Sequence, residues 1–416
     1  MILGQVSSIN AHDIGLSLPN NLTGYVPLTA VSKGLEQKIE KVLNEDEQDE
    51  DDEEDSDEDS LDLKNYFYLG QYLRASVVSV GSNSANASSR SKKRIELAVD
   101  PRQANSGLSK TDLVENTAVQ ASVVSVEDHG LVMDLGIEDS DIKGFMSSKE
   151  IDRRLDYTNI KEGAVFLCMV TGSNASGNVF KLSANLRSTG SITKSHYLST
   201  APTINSFLPG TAAEILLMDV TSSGMVGKIM GMLDATVDLV QSGGNLTKED
   251  LTKKYKNGSK VKGRLVCTFP ASEPFKVGFS LLDHTVKFAS DDHGPGSSDD
   301  APAISAIVPE ATVVKVDPGL GVYAKIGSTK HTGFIHVSRL SDGQVESISP
   351  DTGAFRIDST HEARIVGYNA LDNLYLLSGE RKVIDQPFLR LEDVTVGAVV
   401  KGKVEKLLIG PMELKD

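Results

Sequence analysis

The chain has 416 residues and 39% apolar content, too long for one ordinary core and rich enough for several folded domains. It contains no apolar run of about 18 residues that could cross a membrane as a helix, and its opening, MILGQVSSIN, lacks the basic-then-apolar order of a secretory signal. Fourteen acids between Glu45 and Asp62 account for most of the net charge of −16, so the remainder is nearly neutral and acidity excludes no nucleic-acid partner outside that tract.

In chain order, the first predicted unit spans residues 1–101. A strand pair, GQVSSINAHDIGLSL, leads into LTGYVPLTAVS (Leu22–Ser32), a helix over VSKGLEQKIEKVL, a strand in YLGQYLRASVVSV and a closing strand RIELAVDP. Residues 44–63 interrupt it as an insert whose dense like charge and low hydrophobicity predict disorder. The second unit, 112–187, repeats the order: AVQASVVSVEDHGLVMDL, IKGFMSSKEI, IKEGAVFLCMV and VFKLSANL. Here SSKE predicts a capping box, with Ser147 at the N-cap and Glu150 reaching back.

The third unit, 206–284, is degenerate, with MGMLDATVDLV (Met230–Val240) in place of the glycine–aromatic motif. Residues 285–303, which include SDDHGPGSSDDAP, read as a flexible linker. The fourth unit, 304–386, carries ATVVKVDPGLGVYAKI, KHTGFIHVSRLS, HEARIVGY and NLYLLSGE. A fifth begins within 393–416, its strand opening at Ala398, and its early stop implies that the natural sequence continues. Five short period-2 strands and one helical segment per unit fit a small closed Greek-key barrel of the OB type. The predicted class is all-β.

Alternation separates the faces. In GVYAKI, Val322, Ala324 and Ile326 share the core side, leaving Tyr323 and Lys325 outside; in GFIHVS, Phe334 and His336 lie opposite Ile335 and Val337. With Arg339 close by, this sets aromatics beside cations, the combination that single-stranded RNA binding uses. Gly333 reads as a turn residue, and Phe334 next to it reads equally well as a plug for the barrel mouth. Outward residues of the other units (Tyr25 and Pro27; Phe145 and Ser147; none in unit three) make a weaker case for stacking RNA and a better one for packing on proteins.

These recurring segments resemble S1 RNA-binding domains, whose shape is G-x-V, F-G-a-F-V, G-l-V-H-i-S and a closing I-x-L-S. The array with an acidic insert most resembles the N-terminal part of the nucleolar ribosomal RNA-processing protein five family, called programmed cell death protein eleven in animals. The resemblance implies a role in pre-rRNA processing for both ribosomal subunits, a nucleolar location, and pre-ribosomal RNA and assembly proteins as partners. It places the family's second strand-two aromatic on Tyr323 and its strand-three histidine on His336. The first aromatic falls on Leu320, a departure; Asp372 suits the flanking acid, and Leu374 stands near where an arginine is usual.

Secondary candidates are the basic run Arg90, Lys92, Lys93 and Arg94, as a phosphate grip, a nuclear import signal or a solvated hairpin tip. Ser56 and Ser60 suit an acid-directed kinase, and the acidic insert suits basic protein partners or simply solvates a loop. Cys168 and Cys267 lie in strand-like runs and read as buried thiols of a reducing compartment. The sequence lacks a phosphate loop, a paired C-x-x-C and the H-E-x-x-H zinc motif, so it predicts no enzyme, metal, cofactor or small-molecule substrate. Three readings compete: an RNA-associated scaffold, a chiefly protein-binding scaffold, and an S1-bearing nuclease or translation protein.

Overall fold

A strand with one apolar face needs partners on both edges and a core beneath it. The computed structural model describes residues 1–45, 62–81, 94–138, 141–152, 154–189, 203–221, 223–243, 248–289, 294–298, 300–343, 345 and 347–400, and it meets that need by closing rings. Unit one comprises β1 (Ile2–Ile9), β2 (Asp13–Leu18), β3 (Leu22–Pro27), α1 (Lys33–Glu45), β4 (Tyr72–Val80) and β5 (Ile95–Ala98). Antiparallel pairs join β1 to β2 and β4, β2 to β3, and β4 to β5, while a parallel β3–β5 contact completes the ring.

After α2 (Pro101–Ala104), unit two repeats the path through β6 (Ala118–Glu127), β7 (Gly130–Asp134), β8 (Lys143–Ser147), β9 (Val165–Ser173), β10 (Val179–Ser183) and α3 (Leu186–Thr189). Unit three has β11 (Ala212–Thr221), β12 (Gly224–Ile229), β13 (Leu233–Asp238), α4 (Lys248–Lys254), β14 (Lys260–Phe269), β15 (Lys276–Ser280) and α5 (Asp283–Lys287). Unit four has β16 (Ile307–Asp317), β17 (Gly321–Ile326), β18 (Thr332–His336), β19 (Thr360–Asn369), β20 (Leu374–Ser378) and α6 (Arg381–Ile384). The described strands therefore form tandem OB-type barrels, as the alternation predicts; units one and three share a continuous sheet through a single bridge, Ile2 to Cys267.

Closure has a local cause. The first strand of every unit is bulged against the second, at Val6/Ser8, Val123/Ser125, Leu217/Asp219 and Val313/Lys315, and a bulge adds the coiling a small barrel needs. The third-strand glycine is a packing device and not a turn. A Cβ on Gly24, Gly144 or Gly333 would lie 2.4–2.5 Å from Leu97, Leu182 or Leu377 of the closing strand.

Several local expectations are corrected. Ser148–Glu150 forms a short 3-10 turn with no side-chain cap from Ser147, because one turn offers few free amides to satisfy. At the end of the acidic insert, Asp62 caps Lys64 and Leu63 is fully buried; residues 46–61 lie outside the described residues. No strand occurs among residues 393–400, and the rest of the expected fifth unit, 401–416, lies outside the described residues.

The largest correction concerns the joints. Residues 285–289 are packed rather than linker-like: Thr285 and Phe288 are buried, and so is Ala289. Phe288 enters an apolar hub with Leu3 and Tyr72 of unit one, Leu167 and Met169 of unit two, Val266 of unit three and Leu371 of unit four. Its ring meets Tyr72 edge-on at 4.9 Å, and the Arg264 guanidinium lies 3.7 Å above it. Arg264 also donates to the carbonyls of Gly210, Thr285 and Val286, and His284 Nε2 donates to Leu371 O at 3.0 Å.

A second buried guanidinium fixes units one to three. Arg74 on β4 is fully buried and donates to Pro209 O, Ala118 O and Asn105 Oδ1, with no ion pair among the described residues. Burial lowers its pKa to about 9, which leaves it cationic at neutral pH. Asn105 in turn donates to Gln120 O and Leu135 O, so the segment between units one and two is locked by hydrogen bonds to both.

Unit four docks through its β19–β20 hairpin. The β2–β3 turn of unit one holds Asn20 and Asn21 at φ 61 and 58, a left-handed pair that asparagine tolerates and that points backbone amides outward. Asp372 accepts from Asn21 N and from Gln241 Nε2 of unit three, both at 2.5 Å, while Asn369 Nδ2 donates to Leu18 O. Burial, opposed by these donors and assisted by the charge of Asp238, pushes the Asp372 carboxyl up to about 7.

Two outcomes follow. Phe288→Ala should destabilise the array by about 3–5 kcal/mol in denaturant unfolding, because nothing nearby can refill the hub; a loss below about 1 kcal/mol would show that the hub does not hold the units together. Asp372 takes up its proton more readily folded than unfolded, so stability falls as pH rises from about 4 to about 7, by up to about 4 kcal/mol, then levels. Asp372→Asn should flatten that slope in melts across the same window, and parallel curves for the two proteins would reject the assignment.

Candidate nucleic-acid interface

The fourth-unit residues singled out by alternation do gather on β17 and β18. Tyr323 and Phe334 are cross-strand partners with ring centroids 4.9 Å apart, and His336 stands 6.4 Å from Phe334. Lys315 on β16, opposite Tyr323, brings its ammonium 5.4 Å from that ring, a cation the sequence reading missed. Lys325 and His336 are exposed.

Phe334 is not available as expected. It retains only 6% exposure, and Tyr323 is half-buried. Burial, with the charges of Asp238, Asp372 and Asp317, pushes the Tyr323 phenol up. Asp372, a candidate for the S1 flanking acid, is spent on Asn21 and Gln241 of units one and three.

His336 has a structural task. Its Nδ1 accepts from Ser338 N and caps the turn Val337–Arg339, so in the neutral ring the proton sits on the outward Nε2. Arg339 is exposed but lines a separate cleft with Val383, Leu389 and Arg390.

The other units divide differently. In unit one, Arg94 is exposed, lies 4.2 Å over the Tyr25 ring and pairs with Asp13 at 2.5 Å, so this cation covers an aromatic. Arg90, Lys92 and Lys93, like Ser56 and Ser60, lie outside the described residues. In unit two, Phe145 is half-buried with Lys143 on its own strand and Lys181 beside it on β10, both exposed. In unit three, Thr236 and Asp238 occupy the aromatic and histidine positions, and Met218, Met230 and Met232 are exposed.

Buried arginines were the main residues sequence reasoning passed over. Arg264 and Arg364 sit opposite Ser280 and Ser378 of their closing strands. Arg364 donates to Ser305 O, Val383 O and Ile384 O, matching the bonds of Arg264 to Gly210 and α5. The signal was present as the repeated cation–aliphatic steps in KGRLV and EARIV. Cys168 is buried and Cys267 half-buried, both free; burial pushes the Cys267 thiol up to about 11. Among the described residues no cluster could hold a metal, and no helix is long and apolar enough to cross a membrane.

Known proteins are similar to this chain in sequence. A family model described as the RRP5 OB-fold domain matches residues 298–389, the fourth barrel with its flanks. The rRNA biogenesis protein rrp5 of Schizosaccharomyces pombe is 37% identical over 98% of this chain and 23% of its own length. The mouse protein RRP5 homolog is 27% identical over 97% of this chain and 20% of its own, and the rRNA biogenesis protein RRP5 of Arabidopsis thaliana 23% identical over 97% and 19%. The chain thus spans about a fifth to a quarter of the length of these relatives. This chain of tandem OB barrels is similar, over nearly its whole length, to one segment of the RRP5 proteins.

Proposed function

We propose that this segment is a non-catalytic, RNA-associated platform in rRNA biogenesis, holding pre-ribosomal RNA and assembly proteins in the nucleolus. The observation that carries the reading is the shared hub: it makes barrels similar to a segment of proteins named for rRNA biogenesis into one body with fixed relative positions. A body of that kind presents several weak contacts at set distances, which raises their combined affinity without any one being strong.

On unit four, RNA contact falls to the rim, namely Lys325, the Nε2 side of His336 and the open part of Tyr323, with Lys315 behind it. Phe334 supports that surface from beneath. The acidic insert suits basic proteins by charge, and phosphate on Ser56 or Ser60 deepens that charge. A protein-binding role gains support on unit three from its exposed methionines, since flexible thioether side chains suit adaptable protein contacts.

Fluorescence anisotropy of the whole chain with single-stranded RNA across a salt series tests the reading. Affinity should fall steeply with salt, the log–log slope losing roughly 0.7 for each phosphate contact. Feeble binding that is indifferent to salt rejects the RNA role and leaves the protein platform. His336→Asn keeps a cap acceptor but removes the ring, so it should weaken RNA binding while the melting curve stays put. His336→Ala loses the cap as well and should cost about 0.5–2 kcal/mol of stability. RNA binding unaffected by His336→Asn would remove the rim from the contact surface.

A further inference from the structure

Unit two, weaker by motif than unit four, has the better-built surface, and the reason lies in unit one. Helix α1 projects from the first barrel and lies across the second. Ser32 Oγ donates to Gly163 O at 2.7 Å, and Gly34 approaches Gly163 so closely that a Cβ would sit 3.3 Å from its Cα. Beyond this contact the two units diverge into a cleft of about 460 Å³.

One wall of the cleft is α1 with Lys33, Lys38 and Lys41; the other is the outer face of β6–β8 with Val132 and Lys143. Lys33, Gln37 and Lys41 follow at helical i, i+4 spacing, a stripe rising about 6 Å per step. Asp134 and Glu162 are the opposing carboxylates, and Asp134 is occupied by the Gly136 amide. Lys38 donates to Glu162 O, whereas Lys33 and Lys41 are exposed and form no ion pair with described residues.

Phe145 pairs across the strands with Val132 and stands beside exposed Lys181. The face therefore has a half-open ring with cations on either side, and a basic stripe supplied by the neighbouring unit. An acidic peptide would use the charges alone. The ring among them favours a ligand with both phosphates and flat bases.

We propose that this inter-unit cleft binds single-stranded RNA, with the backbone along the α1 lysines and a base against Phe145. The inference rests on the RNA-associated reading above but places the main contact elsewhere, so the two can fail separately. Whole chain carrying Lys33→Ala with Lys41→Ala, or Phe145→Ala, is titrated with a labelled oligouridylate over a salt series. Lys325→Ala serves as the unit-four comparison, and melting curves confirm folding.

The lysine pair should lower the salt slope by roughly 1.4. Phe145→Ala should weaken binding roughly five-fold or more and leave the slope unchanged. If the chain binds RNA and neither change matters, the cleft proposal is overturned; a loss with Lys325→Ala would then leave the unit-four rim as the contact. If the lysine pair matters, Phe145→Ala does not, and polyglutamate binds the cleft as well as RNA does, the occupant is an acidic protein and the RNA assignment is overturned. Absence of RNA binding at low salt overturns both readings.

Discussion

Everything else in the array depends on how two guanidinium groups are kept inside it. Arg264 lies over Phe288 with its donors on the carbonyls of Gly210, Thr285 and Val286, and Arg74 is enclosed by the carbonyls of Pro209 and Ala118 and by Asn105. A buried cation is costly unless its donors are met: Arg264 finds acceptors on its own unit and α5, and Arg74 finds them on Ala118 of unit two, on Pro209 at the start of unit three and on Asn105 between units. Moving one of those barrels would strip Arg74 of its partners. The apolar hub supplies the attraction, and the arginines set the geometry in which it forms.

Rigidity redistributes the surfaces. Each barrel, taken alone, exposes the same strand-two and strand-three face. In the array, unit four's copy has Phe334 buried and Tyr323 half-buried, while unit one's Tyr25 has its own Arg94 over the ring. Unit two's copy stays partly open and gains a second wall from α1. Unit three has lost the aromatic motif: with Thr236 and Asp238 in those places, its outer face offers no ring there.

The hairpin of unit four couples this arrangement to proton concentration. Burial pushes the Asp372 carboxyl up to about 7, against the Asn21 amide and the Gln241 side chain, which donate to it and favour the charged form. The same residue fits the S1 pattern as a flanking acid. A motif position has thus become a joint.

Period-2 alternation and a recurring order of short strands are local properties, and they were enough to predict all-β barrels and their core sides; that the third-strand glycine seats a closing-strand leucine emerged only from the fold. They also determined which side chains of GVYAKI and GFIHVS lie off the core side. Alternation reports only which way a side chain leaves its own barrel. Whether water or another barrel meets it depends on contacts hundreds of residues apart, such as Asn369 to Leu18 and Asn21 to Asp372. Tertiary structure alone therefore decided that Phe334 is closed in, that Thr285, Phe288 and Ala289 are buried, and that lysines of α1 line a cleft against the next unit.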